Sequence, residues 1–148
     1  MKQLKRDTQQ FLVDANVFIA AIKNPKKEPR SLDLIIELIE NKKIRLVGND
    51  LLLLEFRKYS EKFKSETASH LLKKLKDKIK VVDVKEDSIK ISRKYIPKAE
   101  IVDIIHAATC IQEGSILITN DKHFDKICRN GVIEVWNISK AIENLLGK

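Results

Sequence analysis

Short runs of apolar residues recur along the chain, separated by longer segments in which apolar positions have helical spacing. The runs are continuous rather than alternating, which is typical of strands buried on both faces of a sheet. We therefore predict five short strands. They cover residues 11–14, 44–49, 80–84, 115–119 and 132–136.

The intervening segments carry the signals of helices. Ile35 and Ile39 fall on one side of a helix that Pro29 is placed to begin, because its fixed φ suits the first helical turn. Asp50 is in position to cap the next helix, and Gly114 to end the helix that precedes the fourth strand.

The alternation of short strands with helices predicts an α/β fold, a three-layer α/β/α sandwich around a mainly parallel central sheet. Residues 1–10 are polar and are predicted to be a lead-in. Residues 11–148 are predicted to form a single domain, since a chain of 148 residues can bury one substantial core.

Composition and charge narrow the class of protein without choosing a function. No apolar run reaches the length of a membrane span, and Cys110 and Cys128 give no sign of a disulfide framework, so we expect a cytoplasmic protein. The net charge of +8 would attract a polyanion such as nucleic acid. Abundant Lys and Glu are also typical of the surfaces of heat-adapted proteins. The net charge therefore supports nucleic-acid binding only if another feature of the sequence indicates it independently.

Four carboxylates stand within or directly after apolar segments, where a charge without a partner is costly. The chain has 21 Asp and Glu, and most of the others lie among Lys and Arg. The ligand crevice of an open parallel sheet lies beyond the carboxyl ends of its strands, and these acids fall near such ends or near helix N-termini. The four acids are Asp14, Glu55, Asp103 and Asp121.

Four negative charges that meet at one edge would repel one another unless a cation binds between them. Mg²⁺ and Mn²⁺ prefer carboxylate and water oxygens, and no Cys or His cluster indicates zinc. The pattern therefore predicts one or two such ions, which could orient water and stabilise charge on a phosphoryl group. Taken singly, Asp14, Asp103 and Asp121 could each cap a helix, so the prediction depends on the joint pattern.

With the acids placed, nearly the whole chain resembles the PIN-domain ribonucleases. The matching segments are FLVDANVFI, LLLLEF, DIIHAAT and ILITNDKHF, which carry the four acids in turn. The last two segments and their spacing are the most specific. The resemblance implies a PIN-like fold and an endoribonuclease that uses Mg²⁺ or Mn²⁺. Its catalytic metal ligands would be Asp14, Glu55, Asp103 and Asp121.

The resemblance also implies supporting residues for this site. Asn16 and Thr119 match polar positions that support it in the family, where position 16 is often Ser or Thr, and Asn120 is a further candidate. Asp125 lies one turn beyond Asp121 and could join the site, although a solvated helix face is the preferred interpretation.

Small single-domain members of the family are often the toxin of a toxin–antitoxin pair, the VapC type. For this chain the resemblance implies an RNA substrate, a homodimer, and a VapB-type antitoxin that blocks the acidic groove. Stand-alone PIN proteins of similar size have other roles, so the toxin role is open.

Basic and imidazole side chains near the acids in sequence are candidates for RNA contacts, with a solvated surface as the alternative. His106 lies three residues after Asp103, and we expect it to be packed and hydrogen-bonded at a helix interface rather than to bind a ligand. The candidates are Arg57, Lys98, Lys122, His123 and Arg129.

Two rivals to the nuclease are open at this point. The first is a PIN-like module that binds RNA or protein without catalysis. The second is a metal-dependent phosphatase or phospho-acceptor domain. Asn16 counts against a haloacid-dehalogenase-type phosphatase, which needs Asp at that position. Hydrolysis of RNA by activated water predicts products with 5′-phosphate and 3′-hydroxyl ends.

Overall fold

The computed structural model describes residues 9–23, 25–27 and 29–147, and over these residues the chain forms five strands and eight α-helices. The strands are β1 (Gln9–Val13), β2 (Ile44–Gly48), β3 (Lys80–Val81), β4 (Ile116–Ile118) and β5 (Val135–Trp136). The helices are α1 (Ala15–Lys23), α2 (Pro29–Glu40), α3 (Asp50–Phe63), α4 (Glu66–Lys78), α5 (Glu86–Arg93), α6 (Ile101–Glu113), α7 (Asp125–Arg129) and α8 (Ile138–Leu146). A 3₁₀ turn, Lys122–Phe124, leads into α7.

The strands form one parallel sheet in the order β3-β2-β1-β4-β5. The central strand β1 pairs with β2 and β4, so that Phe11 lies opposite Leu46 on one side and Ile116 on the other. The chain first builds the sheet outward to β3 and then returns to add β4 and β5 on the opposite side of β1. The order of the strands therefore reverses between β1 and β4.

Helices cover the sheet and complete the predicted α/β sandwich. Helix α6 packs across β1, β2 and β4, while α2 packs against β2 and α8. The core between these layers contains two aromatic pairs, Phe11 with Trp136 and Phe18 with Phe56, whose ring centroids are 5.2 and 5.1 Å apart. None of the helices in the described part of the chain has the length and apolar character needed to cross a membrane.

The outer strands are shorter than the apolar runs that predicted them. Only Lys80–Val81 of residues 80–84 and Val135–Trp136 of residues 132–136 pair as strands. Ile133 is buried in the core although it lies outside β5. Lys80 and Val81 are exposed, so β3 is not buried on both faces as its apolar run predicted. In the described part of the chain it pairs only with Val47 and Gly48 of β2 and lies at one edge of the sheet.

The first strand begins inside the segment that was expected to be a lead-in. Gln9 and Gln10 already belong to β1, where Gln9 lies opposite Ile44. The rest of the expected lead-in, residues 1–8, lies outside the described residues.

Two of the predicted helix boundaries are confirmed and one is wrong. Pro29 begins α2, and Gly114 ends α6 with a φ of 68°, which favours glycine. Asp50 is not the cap of α3 but its first residue. The cap is Asn49, whose Oδ1 accepts a hydrogen bond of 2.9 Å from the backbone N–H of Leu52.

A lysine from a different helix satisfies the carbonyl end of α2. Lys78 Nζ donates hydrogen bonds of 2.6, 2.9 and 2.9 Å to the carbonyl oxygens of Leu38, Ile39 and Asn41. The last carbonyls of a helix lack partners within the helix and carry partial negative charge, which an ammonium group neutralises. Partial burial lowers the pKa of Lys78 below its ordinary value. This contact ties the end of α4 to the end of α2.

We expect Lys78→Met to lower the free energy of unfolding by about 2 kcal/mol, because three carbonyls lose a charged donor while the apolar stem is kept. Urea denaturation followed by circular dichroism measures the change. Lys76→Met is the matched control, since Lys76 is exposed on the same helix and its replacement should change stability by less than about 0.5 kcal/mol. Equal losses in the two variants would contradict this account.

Candidate active site

The carboxyl ends of β1 and β4 form one edge of the sheet, at the point where the strand order reverses. Asp14 directly follows β1, and Thr119 directly follows β4. A backbone hydrogen bond of 3.0 Å from Asp14 N–H to the carbonyl of Ile118 keeps the strands together up to this edge. Ligand crevices of open parallel sheets lie at such a reversal, so polar side chains here are the first candidates for chemistry.

Asp14 is buried at this edge, and donors hold both of its oxygens. Oδ1 accepts a hydrogen bond of 2.7 Å from the backbone N–H of Ala15, and Oδ2 accepts one of 2.8 Å from the hydroxyl of Thr119. Asn16 Nδ2 donates to Thr119 Oγ1 at 2.9 Å and lies 3.3 Å from Asp14 Oδ2. The carboxylate of Asp14 is therefore fixed in position.

Thr119 connects this carboxylate to the next loop. Its hydroxyl donates to Asp14 and accepts from the Asn16 amide and, at 3.0 Å, from the backbone N–H of Asp121. One donated and two accepted bonds use the whole capacity of a hydroxyl group. The relative positions of Asp14 and Asp121 consequently depend on this one side chain.

Glu55 projects from α3 toward the same edge and is half-buried. Its Oε1 lies 3.0 Å from Nε2 of His106 on α6, and the same nitrogen lies 3.9 Å from Asp14 Oδ1. His106 is fully buried, and its Nδ1 lies 3.1 Å from Nδ2 of Asn49. His106 is thus packed and hydrogen-bonded, as predicted, and its ring also joins Glu55 to Asp14.

His123 brings together the remaining two acids. Its Nδ1 lies 2.7 Å from Asp103 Oδ2, 3.0 Å from Asp121 Oδ1 and 3.7 Å from Glu100 Oε1. The backbone N–H of His123 also donates to Asp121 Oδ1 at 2.9 Å. Asp103 is buried on α6, whereas Asp121 is half-buried in the loop after β4.

Burial shapes the electrostatics of this edge. It raises the pKa of Asp103 to about 6, since the hydrogen bond from His123 offsets only part of the effect and the charges of Asp121 and Asp14 add to it. Burial likewise raises the pKa of Asp14, although His106 and the hydrogen bonds from Thr119 and Ala15 act against it. The hydrogen bond to Asp103 raises the pKa of His123. All three shifts favour an added positive charge at this edge.

The donor chemistry fits a hard divalent ion. Among the described residues, two sets of side chains have ligand atoms that all lie within 4.8 Å of one another, namely Asp14, Glu55 and His106, and Glu100, Asp103 and His123. Asp121 belongs to neither set. Carboxylate oxygens dominate both sets, which suits Mg²⁺ or Mn²⁺ better than a soft metal. Burial raises the pKa of Asp14 and of Asp103 because it disfavours their ionised forms, which a bound cation would stabilise.

Asn120 and Asp125 take different places relative to these groups. The backbone N–H of Asn120 donates to Asn16 Oδ1 at 3.2 Å, and Asn120 Oδ1 accepts a hydrogen bond of 2.9 Å from the backbone of Ile138. Asn120 therefore connects the site to the start of α8. Asp125 is exposed on α7 and lines the same cleft as Asp121.

The basic candidates are exposed, and two of them line a cleft beside the acids. Lys122 and Arg129 border a cleft of about 690 Å³ that also includes Asp121. Arg57 lies on the exposed side of α3, and Lys98 lies in the exposed segment before α6. His123 instead faces carboxylates, which its sequence position did not indicate.

Two residues of this region were missed by sequence reasoning. Asn49 was passed over in favour of Asp50, although an Asn at the end of a strand is itself a capping signal. Glu100 lies three residues before Asp103, a helical spacing that could have pointed to it.

The alternative in which three acids cap helices has a mixed outcome. Asp121 caps the 3₁₀ turn through its bond from the His123 backbone. Among the backbone N–H groups of α1, Asp14 accepts only from that of Ala15, the first residue, and not from the second or third residue as a helix cap does. Asp103 does not cap α6, because it lies inside the helix and its carboxylate faces His123. Of the three, only Asp121 therefore makes a capping bond while it also belongs to the acidic edge, the sheet edge that carries Asp14, Glu55, Asp103 and Asp121.

Comparison with known proteins gives a family match. The model of the PIN domain family matches residues 11–130, whereas no curated protein is a significant match to the chain. Among solved structures, VapBC2 from Rickettsia felis bound to a DNA fragment from its promoter contains a chain that is 16% identical, with a TM-score of 0.53 over 87% of this chain and 98% of that one. VapBC-1 from nontypeable Haemophilus influenzae contains one that is 20% identical, with a TM-score of 0.59 over 89% and 100%. At these identities the two likenesses show a shared fold.

We expect Asp103→Asn to become more stable than the unmodified protein, without added metal, as the pH rises from about 4 to 6. The folded protein binds the Asp103 proton more tightly than the unfolded chain does, so ionisation of this group costs up to about 3 kcal/mol of stability. Urea denaturation in a chelating buffer at a series of pH values measures the difference. The exposed Asp33→Asn is the control, and an equal pH dependence in both variants would count against a strained Asp103.

Proposed function

The chain belongs to the PIN-domain family, and we propose that it is a metal-dependent endoribonuclease that hydrolyses RNA phosphodiesters. Members of this family are generally nucleases. The observation that carries the proposal is the set of carboxylates, from four separate segments, around the reversal of strand order. Their assignment as ligands and the choice of RNA as substrate are parts of the proposal.

Asp14, Glu55, Asp103 and Asp121 would hold one or two Mg²⁺ or Mn²⁺ ions. When bound, such an ion supplies Lewis acidity toward a phosphodiester and makes water a better nucleophile at neutral pH. The protein itself contributes by holding the carboxylates in position before the metal binds. Thr119, Asn16 and the backbone of Ala15 fix the oxygens of Asp14, so that little ordering is left for the binding step.

RNA binding would draw on the basic side of the cleft. Lys122 and Arg129 are the strongest candidates for phosphate contacts, because they line the same cleft as Asp121. Arg57 and Lys98 would extend the contact along the surface. The net charge of +8 would draw RNA toward the protein.

A role as the toxin of a VapBC-type pair is the finer part of the proposal. The support for it is that the chain shares its fold with chains of two VapBC structures. A VapB-type antitoxin would then cover the acidic edge. The homodimer and the cytoplasmic location stay predictions.

With Mn²⁺ present, we expect the protein to cleave single-stranded RNA, and Asp14→Asn or Asp103→Asn to reduce the rate at least about 100-fold, because each removes a charged ligand. A gel assay with end-group analysis is the measurement, and the products should carry 5′-phosphate and 3′-hydroxyl ends. Asp33→Asn is the control for the loss of an acid elsewhere.

Products with 2′,3′-cyclic phosphate ends would contradict the proposed hydrolysis, because they arise by attack of the ribose hydroxyl. RNA binding without any cleavage, unchanged in Asp14→Asn, would favour the non-catalytic binding module instead. Stable phosphorylation of Asp14 by a small phosphodonor would favour a phospho-acceptor domain.

For the toxin role, we expect induced expression of the chain in a bacterial host to arrest growth, and Asp14→Asn expressed to the same level to allow it. Growth curves with immunoblotting give the comparison. If the unmodified protein cleaves RNA in vitro but leaves growth unaffected, the nuclease assignment stands and the toxin role fails.

A further inference from the structure

A buried chain of hydrogen bonds leads from the start of α3 through α6 to Glu55. Asn49 caps α3, its amide faces His106, and His106 faces Glu55. Asn49 and His106 are both buried, so these contacts are shielded from water. The donor and the acceptor of each of these hydrogen bonds can be assigned in turn, starting from the buried contacts of Asn49.

The orientation of the Asn49 amide is fixed from two sides. Oδ1 faces the backbone N–H of Leu52 at 2.9 Å, and only an oxygen can accept that bond. Nδ2 lies 2.9 Å from the hydroxyl of Thr109. That hydroxyl gives its own hydrogen to the carbonyl of Ile105 at 2.8 Å, and so it accepts from Asn49.

This orientation decides the tautomer of His106. Asn49 Nδ2 lies 3.1 Å from His106 Nδ1 and can only donate, so Nδ1 must be the bare, accepting nitrogen. The ring hydrogen is then on Nε2, which lies 3.0 Å from Glu55 Oε1 and donates to it. A hydrogen on Nδ1 would set two donors against each other in a buried space.

We propose that His106 is a positioning residue, which Asn49 holds in its Nε2–H tautomer so that it orients Glu55 and does not itself bind the metal. The geometry alone would also allow His106 as a ligand, because its Nε2 lies in one donor set with Asp14 and Glu55. The tautomer excludes that role, since a nitrogen that carries a hydrogen has no lone pair for an ion. The role toward Glu55 rests on the proposed function, whereas the tautomer does not.

The bond to His106 explains how a half-exposed glutamate on a helix can be kept ready. A free Glu side chain has several rotamers, and ordering it on binding costs conformational entropy. With Oε1 held by a buried donor, Glu55 is already ordered. Residues that orient a ligand in this way typically contribute about 10- to 100-fold to metal affinity.

The tautomer is tested on the metal-free protein by two-dimensional NMR that correlates imidazole nitrogens with ring hydrogens, with the His106 signals assigned through His106→Gln. We expect the hydrogen on Nε2. In Asn49→Asp, which keeps an oxygen for the Leu52 N–H but replaces the donor by an acceptor, we expect a hydrogen on Nδ1. Ser65→Asp is the matched control, because Ser65 caps α4 and the change adds the same charge away from His106. A hydrogen on Nδ1 in the unmodified protein would overturn the proposal.

The positioning role is tested by Mn²⁺ affinity, measured by titration calorimetry. His106→Gln places an amide N–H near the position of Nε2 and should keep the affinity within about threefold, whereas His106→Asn reaches only as far as Nδ1 and should weaken it about 10- to 100-fold. Circular dichroism checks that both variants are folded. Equal affinities in the two variants would overturn the positioning role.

Pulsed electron paramagnetic resonance of the Mn²⁺ complex separates positioning from ligation. A nitrogen coupling that disappears in His106→Gln and persists in His123→Gln would make His106 a ligand and overturn the proposal. If the expected tautomer and affinities are found but no RNA is cleaved, the proposed function fails while the role of His106 in holding Glu55 stands.

Discussion

The hydrogen bond between Asp14 and Thr119 is the constraint on which the candidate site depends. It spans 105 positions in sequence and forms because β1 and β4 pair in parallel and end at the same edge. The Thr119 hydroxyl also accepts from Asn16 and from the backbone of Asp121, which leaves it no further bonding capacity. The pairing of β1 with β4 therefore also determines where Asp14 and Asp121 lie relative to each other.

The buried carboxylates of the acidic edge lower the free energy of unfolding when they are ionised. Burial raises the pKa of Asp14 and of Asp103, so holding either group ionised has a free-energy cost. A bound cation would remove this cost, and in its absence the protein supplies only partial compensation through hydrogen bonds. Strain of this kind concentrates at functional sites, whereas a purely structural edge would be expected to lack it.

Two histidines serve the same edge in physically different ways. His106 is fully buried, and its hydrogen bonds come from partners that are themselves fixed. His123 is 40% exposed and faces three acids at once, so its contacts are open to exchange with water or with a ligand. His106 therefore supports one side of the site rigidly, whereas the contacts of His123 with the acids on the other side can be replaced by water or by a ligand.

Much of this protein could be predicted from residue order alone. The apolar runs indicated the strands, Pro29 and Gly114 marked helix boundaries, and acids inside apolar segments pointed to one shared edge. These features are local, because burial periodicity and capping depend on residues within a turn or two of each other.

The remaining features depended on partners that are distant in the chain. Asn49 contacts His106 across 57 positions, and Lys78 reaches Leu38 across 40. Nothing near either residue in sequence indicates its partner. These partners are brought together by the order of the strands and the packing of the helices. The same tertiary contacts determine the lengths of the outer strands and the tautomer of the buried His106 imidazole.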